Sequence, residues 1–371
     1  VTVISAKNKN DSAPEFELID GIKVYRISSN IDRSISIYPT FFAFLGFKLL
    51  AYSRFREKID ILHMLAFPNL GVFIYPIPFS STPGIKVLDI RATAVANPVF
   101  DLISRFILKI QRKLYRNVIV LSDRVADSLF ADRKNIQIVP LGADFEMFKP
   151  DRSIYLSKRK ELEIREHEKC MVYVGNFHFP RKLKRMIDAF NIALDHDPSL
   201  KLVMVGGGPD FENLVHYCRN VGISNKVIFT GYVDFDKVPE LVQAADVGLS
   251  YVVDAVQYRN QPPIKTIEFL ATGLPVVATA TPGNLDFVAD GHNGVVTDDS
   301  PNGYARGILR LITNPILFET CAGNARTSVA QNDYNHIVRN IMVPYYESLL
   351  ASSIKAPRRA RESFLHNRLG L

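Results

Sequence analysis

Tryptophan is absent and cysteine is scarce: three thiols, Cys170, Cys218 and Cys321, stand far apart in 371 residues. That spacing excludes a disulfide framework and a cysteine-rich metal site, and it fits a reducing, cytoplasmic compartment. Taken singly, the three read as small buried hydrophobes. Long apolar runs are also missing, since the stretch FFAFLGFKLLAY at residues 41–52 is too short to span a bilayer and carries Lys48. No signal peptide is expected, because the chain opens on VTVISA, a strand pattern. Internal repeats and low-complexity tracts are not evident. Negative charge is short in the first half: residues 1–165 hold 25 Lys and Arg against 17 Asp and Glu, and the remainder 20 against 21. Such a basic half meets anionic lipid headgroups, a phosphate-bearing acceptor or nucleic acid, or nothing at all. Arg54, Arg56 and Lys58 follow the apolar stretch, and Lys109, Arg112, Lys113 and Arg116 recur on a second helix. Surfaces of this kind either lie on a bilayer or are the solvated faces of domain helices.

What is present is apolar content of 47% in a chain longer than one hydrophobic core usually serves, so two domains are the default. Strand-like runs at 1–5, 23–27, 59–64, 85–90, 117–121 and 136–139 alternate with helical periodicity, notably at 100–114 and 123–130. That alternation predicts βαβ units in one doubly wound sheet. The charged segment SIYLSKRKELEIREHEK at 153–169 has no strand pattern and reads as a linker or edge helix. Strands resume at 171–175, 201–205, 227–230, 247–251, 275–278 and 294–297, with helices near 181–196, 211–221, 238–245 and 266–271, which predicts a second doubly wound sheet. Helical periodicity returns at 302–313, 315–330 and 335–350. The basic tail, with Arg358, Arg359 and Arg361, reads as a frayed end or a membrane-attracted one.

Residues 262–283, PPIKTIEFLATGLPVVATATPG, set a lone carboxylate, Glu268, on a short helix ahead of a small-residue turn and an inner strand. Helices that follow strand ends in open α/β sheets start where ligands bind, with free N–H groups turned toward phosphate. Glu268 stands one turn inside and can accept both hydroxyls of a ribose. By itself such a Glu is more often an ordinary solvated helix residue.

The stretch EFLATGLPVVAT resembles the E-A/F-x-A-x-G-x-P-V-V-A-T signature of retaining GT4 glycosyltransferases. VPLGADFEMFKP at 139–150, LVMVGGGP at 202–209, VIFTGYV at 227–233 and AADVGLS at 244–250 fall in that family's order. The likeness runs to about residue 350. It implies an α/β fold of the GT-B type, two doubly wound Rossmann-like domains facing each other across a cleft, with a C-terminal helix crossing back to the first. The expected division is an acceptor-binding domain at 1–160, a nucleotide-sugar domain at 161–336, a crossover helix at 337–352 and a tail at 353–371. The family's first strand, Gly-rich loop and helix, roughly 30 residues, are expected to precede the strand at the start.

The resemblance also implies roles. Glu268 matches the family's ribose-binding Glu. VGNFHFPRK at 174–182 matches the strand, glycine and cations that hold the diphosphate, so Gly175, Arg181 and Lys182 are candidates, the two cations not separable here. Two departures stand out. Asn176 replaces the usual Arg, and an amide cannot neutralise charge; Asn260 replaces a Glu that usually meets the donor sugar. Pro262 and Pro263 have no N–H to give, which leaves Ile264 as the first free backbone donor and Lys265 as a compensating cation. Tyr232 and Val233, with Gly231, stand where the base is read, though Tyr232 is equally a rim aromatic. Gly206 opens a glycine turn that needs no ligand to explain it. Gly283 and Asn284 follow the strand PVVAT and approach the diphosphate. In the first half, Asp89 and Arg91 either orient an acceptor or phosphate or form a structural pair, and His63 is a second candidate there.

The activity so implied is metal- and cofactor-independent transfer of a sugar from a nucleoside diphosphate to a hydroxyl of a glycan, lipid-linked or small-molecule acceptor, with retention. A GT-B epimerase would need an acid and base pair around the sugar. A nucleic-acid-binding protein would need aromatic and basic residues interleaved along one groove. The donor motifs favour the transferase, with peripheral contact to an anionic membrane as a further expectation and no nucleic acid partner.

Overall fold

The structure, a computed structural model, describes residues 1–7, 12–28, 60–66, 85–91, 98–255, 258–259 and 261–355. The chain divides into two units, Val1–Val139 with Met342–Leu371, and Pro140–Ile341. The two units meet at residues 139/140.

In the first unit, β1 (Thr2–Lys7) pairs in parallel with β3 (Ile22–Ser28), and β2 (Phe16–Ile19) runs antiparallel to β3. Asp20 and Gly21, at φ of 49° and 78°, make the two-residue turn of that hairpin. A second sheet is wholly parallel, in the order β4 (Ile61–Leu65), β5 (Ile85–Ile90), β6 (Asn117–Val120), β7 (Ile136–Ile138). Among the described residues the expected single sheet is two, β1-β3-β2 and β4-β5-β6-β7. Helix α1 (Pro98–Leu114) precedes β6, and α2 (Asp123–Leu129) follows it, started by Ser122, whose hydroxyl accepts from the Val125 amide at 3.3 Å.

The second unit begins its regular structure with α3 (Arg152–Glu161), part of the segment expected to mark the boundary. This helix belongs to the unit because Arg159 and Tyr155 are fastened under the sheet. Asp246 accepts from Arg159 Nη1 at 3.0 Å, from the Tyr155 hydroxyl at 3.0 Å and from the Cys170 amide at 2.7 Å. Arg159 is buried and spends its other donors on the carbonyls of Ala244, Arg165 and Glu168. Removing the acid from such a pair costs about 3–5 kcal/mol. Asp246→Ala is expected to lose that much in urea unfolding, and a loss below about 1 kcal/mol would show that water already screens the pair.

Six parallel strands then form the second unit's sheet: β8 (Lys169–Val174), β9 (Leu200–Val205), β10 (Val227–Gly231), β11 (Val247–Ser250), β12 (Val276–Thr279) and β13 (Gly294–Thr297), in the spatial order β10-β9-β8-β11-β12-β13. Between them run α4 (Leu183–His196), α5 (Phe211–Asn220), α6 (Val238–Gln243), α7 (Ile264–Ala271) and α8 (Pro282–Leu285). After the sheet come α9 (Pro301–Ile312), α10 (Pro315–Ser328) and α11 (Tyr334–Ile337). Alternation along each strand sorts the core into two faces. Met171, Tyr173, Leu202, Met204 and Leu249 face one cluster with Phe190 and Ile308, while Cys170, Val172, Val203, Val276 and Ala278 face another with Ile267 and Leu270.

The last described helix, α12 (Val343–Lys355), belongs to the first unit and lies against β5. It starts six residues after the expected crossover start, behind a π-turn at Val338–Met342. Its Tyr346 hydroxyl meets His63 Nδ1 at 2.6 Å, His63 Nε2 meets Asp89 Oδ2 at 3.0 Å, and Arg91 Nε reaches Asp89 at 2.7 Å. Arg91 also donates to the Val139 carbonyl at 3.3 Å. Asp89 and Arg91 therefore form the structural pair that was one of the two readings for them, and with His63 they fasten the helix to the sheet of its own unit.

Candidate active site

In a sheet ordered this way the chain leaves β8 and β11 in opposite directions, so their carboxyl ends open a crevice. Residues from four segments converge there. Tyr173 stands near the end of β8, Arg181 closes a 3₁₀ turn at Phe179–Arg181, Tyr251 follows β11, and Lys265 and Glu268 lie one turn apart on α7. A spacing of three sets the last two on one helix face.

Lys265 is buried, its Nζ 3.8 Å from the Tyr173 ring centre and donating to the Tyr251 carbonyl at 3.2 Å. Burial, and then the Arg181 guanidinium, hold its amine well below the usual lysine range, and Glu268 offsets part of this. Glu268 is buried as well, and its carboxyl is pushed up to about 7 by burial, with the Lys265 charge opposing. Arg181 lies over the Tyr258 ring at 5.6 Å. The Tyr173 hydroxyl is fully buried without a hydrogen bond among the described residues, and burial raises it to about 12, eased by Arg181. Arg181, Lys265 and Glu268 thus form one electrostatically coupled group, a guanidinium, a buried amine and a buried carboxyl. An anion that brings both charge and hydroxyls satisfies all three.

The other expected residues divide into those at the crevice and those with internal duties. Lys182 is exposed, caps α4 and holds a left-handed φ of 51°. Asn176 is exposed directly after Gly175, whose amide donates to Val205 at 3.0 Å. Ile264, the first residue of α7, is 40% exposed. Tyr232 is an exposed rim aromatic whose ring covers Gly207, and Val233 is half-buried beside it. Gly206, at φ of 126°, has its amide on the Gly231 carbonyl at 3.1 Å, and a Cβ there would overlap the Gly175 carbonyl oxygen. Its lack of a side chain is needed for strand-end packing. Gly283 likewise leaves room for the Gln261 carbonyl, and its amide already donates to Arg259 at 2.9 Å, so it has no donor left for a phosphate. Asn260 lies outside the described residues, and Arg91 belongs to the first unit as described.

The sequence did not reveal what holds α7 in register with the sheet. Asn284, fully buried, donates from Nδ2 to the carbonyls of Ser250 and Thr279, each at 3.0 Å, and its Oδ1 accepts from Ser250 at 2.8 Å and Thr266 at 3.2 Å. Thr279 Oγ1 in turn takes the Val252 amide at 3.0 Å. The network ties β11, β12, α7 and α8 at one point, reaching α7 through Thr266, the residue after Lys265. Because several buried groups lose partners together, Asn284→Ala is expected to cost about 2–4 kcal/mol in denaturant unfolding, and a neutral result would place water in the gap.

A doubly wound, Rossmann-like unit is the class that this sheet order defines. In fold the chain matches solved glycosyltransferases of the GT-B type. Sucrose-phosphate synthase from Thermosynechococcus elongatus matches with a TM-score of 0.75 at 19% identity, covering 95% of this chain and 89% of that one. The HepE protein of Anabaena, solved in complex with UDP-glucose, matches at 0.68 and 18%, covering 89% and 86%. Among curated proteins, N-acetyl-alpha-D-glucosaminyl L-malate synthase of Bacillus anthracis is 25% identical over 325 residues, 85% of this chain and 80% of the relative. Matches to curated relatives span from about two fifths to about four fifths of their own lengths. Residues 156–328 match the family described as glycosyl transferases group 1.

Proposed function

We propose that this glycosyltransferase moves a sugar from a nucleoside diphosphate sugar to an acceptor hydroxyl with retention at the anomeric carbon. The observation that carries the reading is the coupled group of Arg181, Lys265 and Glu268 at the point where strand order reverses. Glu268 accepts the two ribose hydroxyls. Arg181 and Lys265 take the diphosphate, Lys265 supplying from the helix the charge that Asn176 does not, while Lys182 at the exposed turn serves the outer edge of the same anion. The base rests toward Tyr232 and Val233.

In the reaction the bond between the anomeric carbon and the phosphate oxygen breaks, and its electron pair leaves with the nucleoside diphosphate. The acceptor oxygen attacks from the same face and gives its proton to the departing phosphate. Positioning and charge stabilisation by the two cations then supply the rate enhancement. A uridine diphosphate donor is favoured because HepE, of the same fold, was solved with UDP-glucose. The acceptor is a carbohydrate, a lipid-linked glycan or a small hydroxy compound.

A thermal-shift screen with UDP-, GDP- and ADP-sugars tests this reading, followed by product analysis with the donor that binds. One donor should raise the unfolding midpoint by the linkage of ligand to the folded state. No shift with any of them would remove the assignment.

A further inference from the structure

Tyr173 stands one residue before the end of β8 and is fully buried. Its ring tilts against Phe177, with 6.2 Å between centroids, and joins the core cluster of Met171, Met204 and Leu249. A face of the same ring carries the Lys265 side chain, with Nζ 3.8 Å from the ring centre. The two residues reach this contact from different elements. Tyr173 is fixed by a strand paired on both sides, by β9 and β11, whereas Lys265 hangs on a flexible four-carbon stem from the second residue of α7.

An ammonium withdrawn from water has to recover what water gave it, or it gives up its proton. Lys265 has three N–H donors, and the Tyr251 carbonyl takes one at 3.2 Å. Glu268, one turn along α7, acts on it by charge across space rather than through a hydrogen bond, and the Arg181 guanidinium works against its proton. Among the described residues the carbonyl and the ring are the groups that meet the amine directly, and both favour its charged form. An aliphatic side chain at position 173 could fill the core and would offer the amine nothing. The ring therefore has a duty that packing does not explain.

We propose that Tyr173 is a positioning residue: its ring face seats the Lys265 ammonium, holding the end of a flexible side chain at one place and in its charged form. The inference rests on the donor reading above, in which Lys265 takes the diphosphate, and Tyr173 acts only through that lysine.

The test follows the Lys265 amine itself, by NMR of the full chain with lysine isotope-labelled at Cε, its signal identified by loss in Lys265→Met. Tyr173→Phe keeps the ring, so Lys265 should titrate as in the wild type. The hydroxyl removed has no hydrogen-bond partner among the described residues, so this variant should unfold no earlier than the wild type. Phenylalanines carrying one, two and three ring fluorines, placed at position 173 by nonsense suppression, keep nearly the same shape and withdraw negative charge from the ring face. Across that series Lys265 should lose its proton at progressively lower pH, by about one pH unit in all, the scale of a desolvated cation over a ring. Affinity for a UDP-sugar, measured by calorimetry on the alkaline side, should fall in the same order. A residue that serves packing alone would give no such gradient. A Lys265 titration unchanged by fluorine would overturn the proposal, whether or not the nucleotide sugar binds. A gradient in the free protein with none in affinity would support the seat and count instead against the donor assignment.

Discussion

Arg181→Ala should lower kcat/KM for sugar transfer by roughly two to three orders of magnitude, with the unfolding midpoint of the unliganded protein almost unchanged. Arg181 is half-buried at the end of a 3₁₀ turn, lies over Tyr258 and makes no ion pair with an acid among the described residues. Its removal therefore costs the fold little. In the transition state, however, negative charge grows on the phosphate oxygen that leaves, and a planar cation with several donors meets that charge in a partly desolvated crevice. Arg181→Lys should recover only part of the loss, because an ammonium is a point charge. A second readout separates this role from simple positioning. Arg181 is one of the groups that lower the Lys265 amine, so its removal should let Lys265 keep its proton to higher pH. An Arg181→Ala variant with unchanged kcat/KM would take the residue out of the reaction.

The second large effect is a bell-shaped pH dependence of donor affinity, with one limb owned by each buried ionisable residue of α7. Glu268 has its carboxyl raised to about 7 by burial. Ribose hydroxyls donate best to the ionised form, so binding releases a proton below about 7, and affinity falls as pH drops through that value. Lys265 is lowered, and the diphosphate favours its charged form, so affinity falls on the alkaline side as the amine loses its proton. An intact nucleotide sugar is the right probe, since its diphosphate carries no terminal phosphate that ionises near pH 6. Glu268→Gln should flatten the acid limb and weaken binding at pH 8 by roughly ten- to a hundredfold, the worth of charged hydrogen bonds. Lys265→Met should flatten the alkaline limb. Stability of the free protein should move the other way for the acid. Its folded pKa lies above the unfolded one, so the protonated form favours the fold, and that contribution is full at low pH and is lost as pH rises through about 7. Glu268→Gln should then unfold at higher denaturant than wild type at pH 8 and not at pH 4. A pH-independent affinity in the wild type would show that neither group titrates with the ligand.

Much of the second unit is legible in its residues for a plain reason. The run Val276–Thr279 is short, largely apolar and flanked by Pro275 and Pro282, as an inner parallel strand is, and it lies inside the sheet. The strand β2 was not legible, because Phe16, Leu18 and Ile19 are exposed and its partner β3 alone defines it. Charge misled at the boundary. The segment after Asp151 is polar enough for a linker, yet Arg159 is buried through four hydrogen-bond partners that lie 6 to 87 residues away. At the site, Glu268 and Lys265 could be read together because they share a helix turn. Tyr173 and Tyr251 could not, since each sits in a strand environment that reads as core, and both do belong to the core. Their contact with Lys265 arises only when two strands nearly 80 residues apart in sequence become neighbours. The same holds for Asn284, whose partners Ser250 and Thr279 end two strands and Thr266 sits on a helix, so that they meet only when the sheet forms.

A crystal structure with bound UDP addresses the central claim most directly. The account predicts ribose hydroxyls on the Glu268 carboxylate and diphosphate oxygens within hydrogen-bonding distance of both Arg181 and Lys265. A nucleotide seated elsewhere in the second unit, with no contact to Glu268, Arg181 or Lys265, would contradict it.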